Sequence, residues 1–430
     1  WPPANRALRL RAGTRFRLGY TRGSEATSRS CYKCSSEWRR VNAPVDLKEQ
    51  ALTWAEAGLF LEVRIADSVS LMPAGRNGPY LDLESPLRNT AHWLVSFSVA
   101  YELSGESRFE EAAHRLARFL LEDNRYLVNG VPVQRQRDTK DWANGVIGTA
   151  WLAEALNAYG RVFSAEQSIS RARQLVDQLP FDSRTGGWRV RDPLLGPGKV
   201  DRTYNHQSWL AAVRAELFGG GDEYVQLFLE KSASRNFRVD ADGLIEHRMP
   251  LPKPGMTTAR VYGSAALRRL GGGAYKKKLL PFRLNKTERA RGYQLYVLYS
   301  LARLLAAGAE HPFLRSGAIR RALSLAASKD FVADLANNPF TYPYNAPGFE
   351  FPLVRRIFSD VEPRLDGQIE DLGVRTQIDQ TYDESSGLFS RGTYDPLTLS
   401  ARLYELMLGL SNTTGAPASG PGGSDIAGAQ

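Results

Sequence analysis

What most limits the fold of this chain is that strands never alternate with helices. From Asp46 to about residue 409 the sequence is a succession of amphipathic segments of roughly 12 to 20 residues, each opened by a helix-start signal. The missing βαβ alternation argues against doubly wound and TIM-type folds. The missing fixed period argues against a TPR or HEAT solenoid. Helices in antiparallel pairs are joined by links of two kinds. Some links are short; others are long, carry Gly, Trp or Tyr, and hold small β pieces. The expectation is an all-α fold, an (α/α) toroid built as an incomplete or six-hairpin barrel, with small β-hairpins in its loops and a cleft walled by the long ones.

The start signals are explicit. Asp46 with Glu49 opens a helix through Trp54 and Leu61, and Ser85-Pro86 opens one through His92, Trp93 and Phe97. Ser107 with Glu110 reads as a capping box, as does Ser164 with Gln167. Asp138 is expected to cap a helix through Trp142, Ile147, Trp151 and Leu156, and Asp222 one through Val225, Phe228 and Leu229. Further helices are expected from Thr287 to Leu305, at 315–327, near 350–358, and at 396–409 behind Asp395-Pro396. Tyr126 to Gln136 reads as an extended link, and Asp240-Ala241-Asp242-Gly243 as a hairpin turn.

Three parts follow: a basic irregular arm at 1–40, a helical catalytic domain at 41–411, and a Gly-, Ala-, Ser- and Pro-rich disordered tail at 412–430. The net charge of +10 is concentrated in the arm, where nine Arg and one Lys face two Glu. The body is therefore close to neutral, and the charge says little about its substrate. Cys31 and Cys34, the two cysteines, form a lone Cys-x-x-Cys without a second pair, which favours a local disulfide or two free thiols over zinc. No apolar run is long enough for a membrane span. Because the chain starts at Trp1, a secreted or periplasmic location is favoured if a leader has been removed.

Polar chemistry concentrates at Asp201-Arg202-Thr203-Tyr204-Asn205-His206-Gln207-Ser208-Trp209, at the start of an apolar helix. His206 shares a face with Leu210, Val213 and Leu217. Asp141, Trp142 and Asn144 stand in the first turns of another expected helix, beside two glycines that permit close approach of a ligand. Arg289 and Arg291 precede Tyr293, Tyr296 and Tyr299, and a tyrosine beside arginine is suited to proton transfer. The aromatic loop Tyr342 to Phe351 carries Tyr344 and one carboxylate, Glu350. Asp395 is explained as a helix cap.

Tyr204-Asn205-His206-Gln207-Ser208-Trp209 resembles the Asn-His…Trp motif of mannuronate-specific alginate lyases and the related heparinase II/III-type toroidal lyases. Tyr293-Gln294-Leu295-Tyr296, after Arg289 and Arg291, is similar to the later Tyr-x-x-Tyr segment of that family. The resemblance implies β-elimination on a uronic-acid polysaccharide. Asn205 would neutralise the carboxylate with help from Arg289, His206 or Tyr293 would take the proton, and Tyr293 would protonate the leaving oxygen. Asp141, Trp142, Asn144, Tyr204, Arg291, Tyr344 and Glu350 are the expected substrate contacts. The expected partner is an anionic polysaccharide, with no nucleic acid, no membrane span, no metal and no cofactor. Two other enzyme readings use the same toroid: an inverting glycosidase drawing two carboxylates from Asp141, Asp201, Glu246 and Glu350, or a uronate C5-epimerase. A non-catalytic polysaccharide-binding protein is the remaining alternative.

Overall fold

Six helices are buried nearly all round, and they stand side by side as a closed inner ring. The computed structural model describes residues 46–78, 82–135, 141–250, 286–342 and 344–411. In chain order the first helices are α1 (Leu47–Leu59), α2 (Pro86–Ser104), α3 (Ser107–Glu122), α4 (Ile147–Val162) and α5 (Glu166–Asp177). Next come α6 (Tyr204–Phe218), α7 (Glu223–Lys231), α8 (Gln294–Ala306), α9 (Gly317–Ala326) and α10 (Lys329–Leu335). The last are α11 (Pro347–Phe358), α12 (Gly367–Thr381), α13 (Pro396–Ala401) and α14 (Leu403–Leu410). α2 packs on α4, α4 on α6, α6 on α8, α8 on α11, α11 on α14, and α14 back on α2. The other helices lie outside: α3 and α1 against α2, α5 against α4, α7 against α6, α9 against α8 and α12 against α11. This is the (α/α)6 toroid expected from the sequence.

Sequence separates the two layers. Every residue of α8 from Gln294 to Leu304 is buried, because neighbours cover it on all sides. By contrast α3 buries only Phe109, Ala112, Ala113, Leu116, Ala117, Phe119 and Leu120, a stripe at helical spacing, and leaves its charged face in water. The ring is closed by polar contacts between its ends: Ser96 Oγ donates to the Ala401 carbonyl, and Thr398 Oγ1 to Asn89 Oδ1. Glycines allow the tightest approaches; a Cβ on Gly409 of α14 would lie 2.5 Å from Pro352 Cβ of α11.

The strands among the described residues form only small antiparallel sheets in the connections. The three-stranded one, Phe181–Asp182, Gly187–Asp192 and Gly196–Val200, delivers the chain directly to the start of α6. The expected link at 126–136 contains a hairpin, Leu127–Val128 with Val131–Pro132.

Several boundaries differ from expectation. The capping box at Ser107 does not form, because Glu106 holds the cap position and Ser107 is already helical. Ser164 adopts φ 52°, so Ala165 caps α5. α4 starts only at Ile147, because Asn144 and Gly145 take φ of 59° and 67° and break the preceding turn. The helix expected from Thr287 to Leu305 is interrupted at Tyr293, and that at 396–409 at Arg402. The aromatic loop turns helical at Pro347, which puts Glu350 inside α11. Asp222, Asp395 and the Ser85-Pro86 start stand where expected. The arm at 1–40 with Cys31 and Cys34, Asp138, residues 271–278 and the tail at 412–430 lie outside the described residues. Among the described residues, no helix is long and apolar enough to cross a membrane.

Candidate active site

The inner helices all begin at the same end of the ring, and a cavity of about 260 Å3 opens there. α2 contributes Arg88 and His92, α4 Ile147 and Trp151, α6 Asn205 and His206, and α8 Tyr296 with Tyr293 at its cap. Asn345 stands just ahead of α11, and Arg402 just ahead of α14. Asn77, Arg135, Asn144, Thr203, His247, Arg248, Arg289 and Tyr344 complete the described lining. Six helix N-termini converging on one space add a positive potential to that of the arginines.

The first turn of α6 organises one wall. Asp201 Oδ2 lies 2.8 Å from His206 Nδ1 and also accepts the Val146 N–H, while Oδ1 accepts the Thr203 N–H. Burial pushes the Asp201 carboxyl up, but the His206 charge and these hydrogen bonds outweigh it and hold it at about 2. The ionised carboxylate can only accept, so His206 donates from Nδ1 and keeps Nε2 for proton exchange. Gly145 makes room for this pair: at φ 67°, a Cβ there would lie 2.2 Å from Asp201 Oδ2 and 2.8 Å from His206 Nδ1.

A short backbone pairing brings a second imidazole to the same wall. The Tyr204 N–H donates to the His247 carbonyl at 3.0 Å, the Met249 N–H to the Arg202 carbonyl at 2.8 Å, and Thr203 bridges Arg248. The His247 ring lies 4.7 Å from that of Tyr293. Burial, then the charges of His206, Arg289 and Arg248, lower His247 to about 3, so its imidazole is neutral. Asn205 Oδ1 and His247 Nδ1 are buried without a partner among the described residues.

The opposite wall is built from paired charges. Arg88 donates to Glu84 at 2.7 Å and lies over Trp151. Arg402 is held by Glu405 at 2.9 Å, Glu350 at 2.5 Å and Asn345 at 3.3 Å, and covers the Tyr296 ring. Burial raises Glu350 to about 7 and Glu405 to about 8 against the opposing pull of Arg402. His92, stacked on Tyr404, is driven well below its usual range by burial and then by Arg88 and Arg402.

Of the residues singled out in the sequence, Asn205, His206, Tyr293, Arg289, Asn144 and Tyr344 line the cavity. Others do not. Tyr204 is fully buried in the core against Phe228 and Phe237, with its hydroxyl donating to Ser232. Asp141 is taken up by Arg135 and the Gly145 N–H, and the neighbouring Trp142 meets Gln134 and Arg135 through its backbone carbonyl. Arg291 pairs with Asp334 at the surface, and Glu246 with Lys286. Glu350 lies beneath Arg402 rather than in a loop wall. Arg88, His247, Arg248, Asn345 and Arg402 were not singled out. Only Arg88 left a signal, standing one turn before His92 behind a Ser-Pro start.

No family model matches the chain. Archaeal glycosylation protein Q of Haloferax volcanii is 34% identical over 363 residues, covering 82% of this chain and 94% of that protein. Among solved structures, cellobiose 2-epimerase of Spirochaeta thermophila superposes with a TM-score of 0.55 at 14% identity, over 84% of this chain and 97% of its own. A family 76 glycoside hydrolase from a bovine Bacteroides thetaiotaomicron strain gives 0.52 at 10%, over 85% and 77%. At such divergence these structures share the fold, and the fold serves enzymes that act on sugars by different chemistries. The relationship that extends through the sequence is the first, and the chain belongs to the family of archaeal glycosylation protein Q.

Proposed function

We propose that this protein is a carbohydrate-active enzyme that removes and returns a proton at a carbon of an acidic sugar, as an epimerase or isomerase does. The observation that carries the reading is the Asp201–His206 pair, at a cavity whose described lining holds no carboxylate. An ionised partner on Nδ1 orients the imidazole and leaves Nε2 as the base. The His206 imidazolium so formed can return the proton from Nε2, beside the neutral imidazole of His247 on the segment pinned against the same helix start. Charge that develops on the deprotonated sugar meets guanidinium groups and helix N-termini. The same field favours a substrate that is itself an anion.

Hydrolysis is less well supported. An inverting glycosidase needs two carboxylates about 6.5–9.5 Å apart across the scissile bond. Asp141, Asp201, Glu246 and Glu350 are each tied to a neighbouring cation or imidazole, and none of them lines the cavity. The relative is named for glycosylation, the attachment of sugars, where changing a sugar's configuration is of more use than cleaving it. β-Elimination remains a second reading because Tyr293 stands in the cavity beside His247, where a phenol could protonate a leaving oxygen.

The test is incubation with free and polymeric uronates and their neutral counterparts in D2O. Deuterium appearing at a sugar carbon, lost in His206→Ala, supports proton transfer. A near-UV-absorbing unsaturated product selects elimination instead. New reducing ends without deuterium or absorbance sink both readings and return the question to hydrolysis.

A further inference from the structure

The cavity's arginines differ in what they are tied to, and the difference locates the substrate's charge. Arg88 is tied to Glu84, Arg135 to Asp141, and Arg402 to both Glu350 and Glu405. Each has its charge balanced within the protein and serves mainly to hold the wall in shape. Arg248 has no carboxylate partner among the described residues, although its backbone is fixed by the bridge to Thr203. It follows His247 directly and stands opposite Thr203, three residues before His206. Arg248 is therefore a cavity cation without a carboxylate among the described residues, next to His247 in sequence and across from the turn that carries His206, with the partnerless Asn205 Oδ1 on the same helix start.

Resting on the proton-transfer reading above, we infer that Arg248 is the specificity residue for a sugar carboxylate, which it holds beside the carbon that His206 deprotonates. The substrate class is then a uronic acid rather than a neutral hexose. A guanidinium matches a carboxylate with two parallel N–H donors, a geometry that an ammonium cannot reproduce. An anion seated there would also shield His247 from the positive charge of Arg248 and Arg289, so binding should make its imidazole easier to protonate. The arginine side chain is exposed enough to be replaced without disturbing the core.

The experiment measures binding of glucuronate, galacturonate and mannuronate against glucose, galactose and mannose, by calorimetry on the full chain at low and moderate salt. The expected result is that at least one uronate binds about tenfold or more tightly than its neutral counterpart. Arg248→Gln should remove that preference, and Arg248→Lys should restore only part of it. On uronate binding, the His247 ring resonances should move to a higher apparent pKa in the wild type and not in Arg248→Gln. Absence of a uronate preference in the wild type, or its persistence in Arg248→Gln, overturns the assignment. Binding is scored separately from chemistry: a preference that depends on Arg248, with no deuterium exchange, would retain this subsite and discard the proton-transfer reading. Exchange into a neutral sugar without any preference would do the reverse.

Discussion

The two walls of the cavity hold similar residue types in different states of satisfaction. On the wall made by α2, α11 and α14, each cation faces a carboxylate: Glu84 with Arg88, and Glu350 and Glu405 with Arg402. On the wall made by the start of α6 and residues 247–249, Asn205 Oδ1 and His247 Nδ1 lack partners among the described residues, and Arg248 lacks a carboxylate. Hydrogen bonding alone does not separate the walls, since Glu84 Oε1, Arg88 Nε and His92 Nε2 also lack partners among the described residues, but buried charges that balance one another mainly store shape. A cavity cation left without a counter-charge, as Arg248 is among the described residues, can instead be completed by an anionic ligand. One wall is a brace and the other is open to a ligand, although both carry histidine and arginine.

The largest effect is expected at His206. His206→Ala should lower proton exchange into substrate by about 10²–10⁴ at temperatures where thermal denaturation shows the variant still folded, measured by mass spectrometry in D2O. Arg402→Ala on the other wall should do the opposite kind of damage. It strands Glu350 and Glu405 without their cation, which should cost about 3–5 kcal/mol in a denaturant titration. Because both carboxyls already sit high, at about 7 and about 8, the loss should be smaller at pH 5, where they can take up protons, than at pH 8. If Arg402→Ala is as stable as the wild type at pH 8, that wall is not a brace.

Gly145→Ala tests the seam between the walls and should cost about 1–3 kcal/mol of stability. Its methyl needs space that Asp201 and His206 occupy, so exchange activity should fall even at temperatures where the variant remains folded. An alanine variant with normal activity would mean the pair tolerates displacement. The smallest effect concerns pH. The depressed His247 lets the native state bind fewer protons than the unfolded chain, so its contribution is fully present above about pH 6.5 and is lost as pH falls toward about 3. His247→Gln should flatten the fall in Tm between pH 7 and pH 5 by on the order of 2 °C. Unchanged slopes would place a charged, not a neutral, imidazole beside Tyr293.

The fold was largely legible because the features that define it are local. Capping residues such as Asp222 and Asp395, the Ser85-Pro86 start, and predominantly apolar runs such as 294–304 each announce a helix within a few residues of sequence. Part of the site was legible for the same reason, since Asn205 and His206 share one helix start with the carboxylate at Asp201. The rest was not. Arg88 and Arg402 line one cavity only because α14 packs against α2, and Arg402 reads locally as an ordinary helix-surface cation. His247 follows no capping or periodic signal and reaches the site through backbone pairing with residues 202–204. Tyr204 misled for the converse reason: its place in a polar motif gave no hint that its side chain turns into the core beside Phe228.

The ring is completed by the contact of its last helix with its second, and that order has a biosynthetic meaning. A chain emerging N-terminus first can form α2 through α11 in sequence, but it has no closed cavity until Arg402 and α14 are present to meet α2. A chain that stops short of α14 therefore lacks the wall that Arg402 completes. Glu350 would be left without its cation, an internal fault that marks the unfinished product for unfolding and degradation. The closing helix thus ties the shape of the cavity to the synthesis of the whole ring.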